Sequence, residues 1–124
     1  MPDCYRDLVV WQKAFRLATE CHHLAERMPS PAHRSLAAQL TRAAASVPAN
    51  IAEGNGRLHR AEYIRFLSIA LGSANEVESH LLLAEALGHQ DARGIDAAIS
   101  LTREVCRMLG GLIRALRRTP TDRR

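Results

Sequence analysis

The sequence predicts an all-α fold, an antiparallel up-down-up-down four-helix bundle. Apolar residues recur at three–four spacing over four long segments, which is the pattern of helices that bury one face. Alanine is abundant and aromatic residues make up only 4% of the chain, a composition that favours close helix packing over a sheet core. Because the connections between the segments are short, consecutive helices are expected to run antiparallel.

The four helices are predicted over residues 8–28, 32–53, 59–87 and 92–118 of a single domain. Asp7 is the expected cap of helix one, and the Pro-Ser-Pro sequence at residues 29–31 separates helix one from helix two. Trp11 and Phe15 are predicted to be core anchors rather than a base-stacking platform. They belong to an apolar stripe that comprises Leu8, Trp11, Phe15, Ala18, His22 and Ala25.

The second half of helix two, within residues 42–57, is almost free of large side chains. Its alanines allow neighbouring helices to approach closely, so this stretch is expected to be a helix crossing. Pro48 removes a backbone donor there, and we expect a kink rather than an end because the apolar spacing continues beyond it. Gly54 is the expected left-handed residue that ends the helix, and Asn55 and Gly56 are expected to form a turn.

Helices three and four each carry a regular apolar stripe. Gly88 is expected to end helix three, and Asp91 is the expected cap of helix four. Additional apolar residues on helix three exceed what one bundle face needs and suggest a subunit interface; they are Ile64, Leu71, Leu82 and Leu83. The two stripes are Leu67, Ala70, Ala74, Val77, Leu81 and Ala84, and Ile95, Ala98, Thr102, Val105, Leu109, Leu112 and Leu116.

Three segments of the chain resemble a known family. They are V-W-Q-K-A at residues 10–14, R-A-A-A-S-V-P-A-N-I-A-E-G-N-G-R at 42–57 and F-L-S-I-A-L-G-S-A-N-E-V-E-S at 66–79. In this order they resemble the four-helix-bundle proteins related to those encoded in bacterial 23S rRNA intervening sequences. A relative is the accessory variability determinant of diversity-generating retroelements. The resemblance implies a homo-oligomer, specifically a cyclic pentamer, and its retroelement relative implies nucleic acid and a reverse transcriptase as partners.

The net charge of +4 is concentrated near the end of the chain. Residues 101–124 contain seven arginines and two carboxylates, whereas the first hundred residues are nearly neutral. Four of these arginines fall within roughly 60° on one face of helix four, and a fifth lies beside them. They are Arg103, Arg107, Arg114 and Arg118, with Arg117 as the fifth.

A helix face of arginines predicts binding to the phosphates of RNA or DNA. Base-specific readout is not predicted, because no helix-turn-helix, RRM or zinc-finger pattern accompanies the arginines. Two other interpretations stay open. The face could pair with an acidic protein partner, or it could be an ordinary solvated surface.

Polar residues interrupt the apolar pattern of helices two and three, and we expect them to form a structural network. Its predicted members are Arg42, Asn50, Glu53, Arg57, Asn75 and Glu76. A di-metal site of the ferritin type would need E-x-x-H on two helices, and the chain offers only Glu20 with His23. We therefore expect no metal and no other cofactor.

A remote alternative is a helical ribonuclease of the HEPN kind, since Arg16 with His22 and Arg27 with His33 match its arginine–histidine spacing loosely. The polar residue expected beside the arginine is missing from both pairs, so we expect a protein that is not an enzyme. The three cysteines lack C-x-x-C spacing and indicate neither a disulfide framework nor a zinc site. Without a membrane-length apolar run or a signal-peptide core, the expected location is cytoplasmic.

Overall fold

The computed structural model describes residues 4–28 and 30–118. Within them four α-helices form the bundle: α1 (Val9–Glu26), α2 (Arg34–Asn55), α3 (Arg60–Ala86) and α4 (Ala92–Arg118). Short 3-10 turns precede α1 and α2, at Tyr5–Asp7 and Pro31–His33. The all-α prediction is confirmed. The proposed break at Pro29 and the last six residues, with Arg123 and Arg124, lie outside the described residues.

The helices pack in a square, in which α1 contacts α2, α2 contacts α3, α3 contacts α4 and α4 returns to α1. Two ion pairs between helices fix the antiparallel register of α4. Arg103 Nε donates to Glu78 Oε2 of α3 at 2.6 Å. Arg27, at the end of α1, donates through Nη2 to Asp91 Oδ2, just before α4, at 2.6 Å. Each helix therefore runs opposite to both of its neighbours.

The core between the helices is aliphatic. Every residue of the predicted α3 stripe is buried, and so is the α4 stripe apart from Leu112, which is partly buried. Thr102 is the buried polar residue of this core, and its hydroxyl donates to the carbonyl oxygen of Ala98 at 2.6 Å. This bond satisfies the hydroxyl within its own helix, so the side chain is buried without an unpaired donor.

Helix α1 is rotated relative to the prediction. Its buried residues are not the predicted aromatic stripe, since Phe15 is 54% exposed, Trp11 is partly buried and His22 is exposed. The prediction was wrong because α1 carries two apolar stripes, about 120° apart at 100° per residue. The stripe that faces the core is the aliphatic one, Val10, Ala14, Leu17, Cys21 and Leu24. Of the predicted stripe Ala25 is buried, and Leu8, Trp11 and Ala18 are partly buried at the edge of the core.

Gly54 has a different role from the one predicted. It lies inside α2, which continues to Asn55, and Gly56 follows as the C-cap residue. A Cβ on Gly54 would lie 2.9 Å from Phe66 Cβ of α3, closer than two carbon atoms can pack. The absence of a side chain at Gly54 therefore allows α2 and α3 to pack in direct contact. The helix also continues through Pro48, as predicted, and the kink at that residue stays a prediction.

The turn between α3 and α4 follows the predicted capping chemistry. Gly88 has φ +81°, the left-handed conformation expected after a helix. Asp91 Oδ1 accepts a hydrogen bond from the Gly94 amide at 2.9 Å and so caps α4. Asp7 does not cap α1, because it belongs to the preceding 3-10 turn and Leu8 occupies the cap position without a side-chain bond.

Candidate nucleic-acid interface

The arginines of α4 point away from the core. Since the opposite side of this helix is a continuous apolar stripe, burying that stripe leaves the charged side in solvent. All five predicted arginines are exposed: Arg103, Arg107, Arg114, Arg117 and Arg118. The structure therefore places the predicted binding residues on an accessible surface.

Arg103 differs from the other four arginines. Its guanidinium donates to Glu78 at 2.6 Å, so a carboxylate from α3 neutralises its charge. Sequence reasoning missed this partner because Glu78 lies 25 positions away and on another helix. Within the described parts of the chain, no carboxylate forms an ion pair with Arg107, Arg114, Arg117 or Arg118.

The register of α3 against α4 brings a second group of arginines to the same end of the bundle. Glu78 lies opposite Arg103, and Asn75 accepts a hydrogen bond from Cys106 Sγ at 3.6 Å. Continuing this antiparallel register places position 64 opposite Arg117. The first turns of α3 and the last turns of α4 therefore meet. We call residues 57–72 and 107–118 together the basic end.

Charge is divided sharply along the α3–α4 pair. The basic end contains seven arginines and one glutamate. The rest of the pair, residues 73–106, contains two arginines and six carboxylates. The sequence alone locates an excess of arginine in the last helix. The fold concentrates it at one end by adding Arg57 from the turn before α3 and Arg60 and Arg65 from α3.

Some arginines of the basic end already interact with other side chains of the protein. Arg57 donates through Nη2 to Glu53 Oε2 at 2.7 Å, and its Nη1 lies 4.0 Å from Glu62 Oε2. Its guanidinium carbon also lies 4.8 Å from the centre of the Phe66 ring, and that of Arg65 lies 5.4 Å from the same ring. The positive charge without a carboxylate partner is therefore concentrated on the α4 side of the basic end.

The predicted polar network does not come together as one unit. Asn50 Nδ2 donates to the Ser46 carbonyl oxygen at 2.8 Å, and the Ser46 hydroxyl bonds to that of Ser73 at 2.9 Å, which joins α2 to α3. Glu53 pairs with Arg57, one of its predicted partners. These contacts cover only part of the predicted set.

The remaining members of the predicted network lie elsewhere. Asn75 faces α4, where it accepts from Cys106. Glu76 pairs with His80 on its own helix at 3.3 Å, and Arg42 is exposed on α2. The network divides because residues one helical position apart, such as Asn75 and Glu76, point in directions about 100° apart.

The arginines of the two HEPN-like pairs are bound to carboxylates. Arg16 pairs with Glu20 at 3.0 Å and Arg27 with Asp91 at 2.6 Å. His22 is exposed, and the Nδ1 atom of His33 is buried without a hydrogen-bond partner among the described residues. In the same residues no group of three His, Cys, Asp or Glu side chains could hold a metal ion, and no helix is long and apolar enough to cross a membrane.

A second exposed surface lies between α1 and α2. Three aromatic rings lie side by side there: Trp11 stacks on Phe15 with ring centres 5.0 Å apart, and Tyr5 meets Trp11 edge-on at 5.1 Å. Among the residues that the structure describes, no charged side chain lines this groove. Its other lining residues are Ala18, Thr19, Ala45, Pro48, Ala49 and Ala52. We call it the aromatic groove; sequence reasoning had assigned its Trp and Phe to the core.

Comparisons with known proteins agree with this architecture. The model of the 23S rRNA-intervening sequence protein family matches residues 6–111. A similar solved structure is a Bacteroides thetaiotaomicron protein of unknown function from the S23 ribosomal protein family. It is 26% identical, with a TM-score of 0.78 over 85% of this chain and 98% of that one. None of the curated proteins matches the chain.

Proposed function

This chain belongs to the 23S rRNA-intervening sequence protein family, and we propose that it is a non-catalytic oligomeric scaffold that binds nucleic acid, RNA in particular, through α4. One observation carries the proposal. Arg107, Arg114, Arg117 and Arg118 are exposed on one helix, and no carboxylate of the described residues pairs with them. A surface of one sign, held on a rigid helix, suits a ligand that carries many negative charges.

The chemistry of such a contact follows from the guanidinium group. Each arginine can donate two parallel hydrogen bonds to a phosphate, and each neutralised phosphate releases a counterion. Binding should therefore weaken steeply with salt and depend little on base sequence. Arg103 should contribute less than the other four, because its charge is already neutralised by Glu78.

Self-association would multiply this surface. The resemblance to the family implies a homopentamer, and the exposed apolar surface supports an oligomer: the aromatic groove on one side and Leu82 and Leu83 of α3 on another. In a ring the basic end would recur in every subunit, and several weak contacts on one nucleic acid would add up to tight binding. The ring is part of the proposal.

The competing proposal is a protein-binding module without nucleic acid. The aromatic groove favours it, because an uncharged surface with large exposed rings is typical of protein interfaces. In this alternative the arginines would pair with carboxylates of an acidic partner, such as the reverse transcriptase implied by the retroelement relative.

Binding of a fluorescent RNA, followed by anisotropy at several salt concentrations, tests the proposal. The test variant is Arg114→Gln, Arg117→Gln and Arg118→Gln together. The matched control, Arg34→Gln, Arg42→Gln and Arg93→Gln together, removes the same charge from exposed positions outside the basic end. Circular dichroism verifies that both variants fold.

We expect the test variant to lose at least about tenfold in affinity at moderate salt, and its salt slope to fall by roughly 2 to 3. The control should lose much less. Equal losses in the two variants would show that only net charge matters. If the unmodified protein binds no RNA at low salt, the protein-binding alternative replaces the proposal.

A further inference from the structure

The structure also indicates which form of nucleic acid fits the basic end, an inference that rests on the proposed function. We propose that the ligand is a double helix rather than a single strand. Three features favour a duplex: the positions of the aromatic rings, the arrangement of the arginines along one helix and the acidic half of the α3–α4 pair.

The structure describes all five Trp, Tyr and Phe side chains of the chain, and none of these rings is exposed beside the α4 arginines. Tyr63 is buried in the core, at 3% exposure. Phe66 is half-buried beneath the guanidinium groups of Arg57 and Arg65. The other three line the aromatic groove, on the α2 side of α1.

Helix α4 packs against the opposite flank of α1. Lys13 of α1 pairs with Glu104 of α4 at 3.0 Å, on the side away from the aromatic groove. Proteins that hold single strands without sequence preference combine a basic groove with aromatic rings on which the bases stack. Here the two components lie on different sides of the bundle. A single strand on the α4 arginines would have phosphate contacts but no exposed Trp, Tyr or Phe ring on which its bases could stack.

A double helix needs only the phosphate contacts. Its bases are already stacked on each other, and both strands together present one negative charge about every 1.7 Å along the axis, twice the density of one strand. Arg107 to Arg118 span eleven residues, about 16 Å of α-helix. Over that length of its axis a duplex carries roughly ten phosphates, and those on the side facing α4 already have a fixed spacing, so binding does not have to order a flexible chain.

The acidic half of the α3–α4 pair limits the footprint. Three of its six carboxylates form ion pairs with arginine or lysine. The other three, Glu76, Glu85 and Asp96, would repel phosphates, so the duplex should contact the basic end and not the whole length of α4. Arg103 lies in that acidic half, bound to Glu78, while Arg117 lies at the basic end. The two arginines are on the same helix and should therefore contribute very differently.

The first experiment compares a 20-base-pair RNA duplex with an unstructured 40-nucleotide strand, which carries about the same number of phosphates. We expect the duplex to bind at least about tenfold more tightly at equal salt. Equal or tighter binding of the single strand would overturn this inference and leave the proposed function standing. If neither ligand binds, the proposed function itself fails.

Single substitutions give a second, independent test with the duplex. Arg117→Gln should weaken binding several-fold, whereas Arg103→Gln should change it less than about twofold. Phe15→Ala should leave duplex binding unchanged, because its ring lies in the aromatic groove. A loss on Phe15→Ala as large as that on Arg117→Gln would show that the nucleic acid reaches the groove and stacks there, which would contradict the inference.

Discussion

Helices α1 and α4 border the same core, yet only α4 shows in its sequence which side faces inward. Opposite its apolar stripe α4 carries arginines, so only one orientation buries apolar side chains without burying charge. Helix α1 has an aliphatic stripe and an aromatic stripe. Leu17 and Cys21 of the first are fully buried, whereas Phe15 of the second is 54% exposed.

The shape of helix α2 accounts for this choice. Its crossing region contains the buried small residues Ala43 and Ala44, whose short side chains allow the helices to approach closely. At such short separation Leu, Ala and Cys can interdigitate, while indole and phenyl rings need a wider space. One apolar stripe therefore orients a helix by hydrophobicity alone. Where a helix has two such stripes, the shape of the neighbouring helix determines which of them is buried.

The largest expected difference is in the rate at which the three thiols react, because Cys21 is buried and the other two are only partly buried. Burial raises the pKa of Cys21 to about 12, and burial also raises that of Cys106 on α4. A hydrogen bond from Arg6 Nε, at 3.5 Å, lowers the pKa of Cys4. Because the thiolate is the reactive form, an alkylating reagent at pH 8 should label Cys4 first, then Cys106, and Cys21 roughly a thousand-fold more slowly or only on unfolding.

Mass spectrometry of the modified peptides measures this order. The raised pKa of Cys21 also has a consequence for stability. The folded state keeps the proton that the unfolded chain loses above its ordinary pKa of 9.0, so this contribution is complete below pH 9 and is lost between pH 9 and 12. Rapid labelling of Cys21 in the folded protein would contradict the assignment of the aliphatic stripe to the core.

Truncating one residue from each stripe of α1 tests the comparison directly. Leu17→Ala should lower the free energy of unfolding by about 2 to 5 kcal/mol, because it leaves a cavity in a fully buried site. Phe15→Ala should cost less than about 1 kcal/mol, since its ring already lies half in solvent. Urea unfolding measures both. A larger cost at Phe15 would show that the aromatic stripe carries the core.

A third prediction addresses the close contact of α2 with its other neighbour, α3. Gly54→Ala should cost about 1 to 3 kcal/mol, because the new methyl group would collide with Phe66 Cβ. Gly56→Ala is the matched control, since a Cβ there would meet nothing closer than 3.6 Å and the residue is exposed. It should change the free energy of unfolding by less than about 1 kcal/mol. Equal costs at the two glycines would disprove the close contact.

The smallest expected change in the free energy of unfolding concerns the N-termini of α1 and α4. Asp91→Ala removes both the cap of α4 and the exposed ion pair with Arg27, and should cost about 0.5 to 2 kcal/mol. Asp7→Ala removes a carboxylate that caps nothing before α1, and should stay within about 0.5 kcal/mol. Thermal unfolding of the two variants side by side gives the comparison. A substantial loss for Asp7→Ala would restore the capping role that the sequence suggested.

Features that depend on neighbours along the chain can be predicted from the sequence. The all-α fold follows from apolar spacing, the buried faces of α3 and α4 follow from their single stripes, and the end of α3 and the start of α4 follow from Gly88 and Asp91. The exposure of the α4 arginines follows from the same stripe. Each of these can be predicted because its physical cause lies within a few residues.

Features that depend on distant residues become visible only in the folded protein. In the folded protein the aromatic stripe of α1 faces outward, and Gly54 lies at a contact between helices instead of in a turn. Glu78 forms an ion pair with Arg103. The arginines at the start of α3 also lie beside the C-terminal end of α4. Rotation and register between helices come from how side chains of different size fit together across the core, and periodicity along one helix carries no information about that fit.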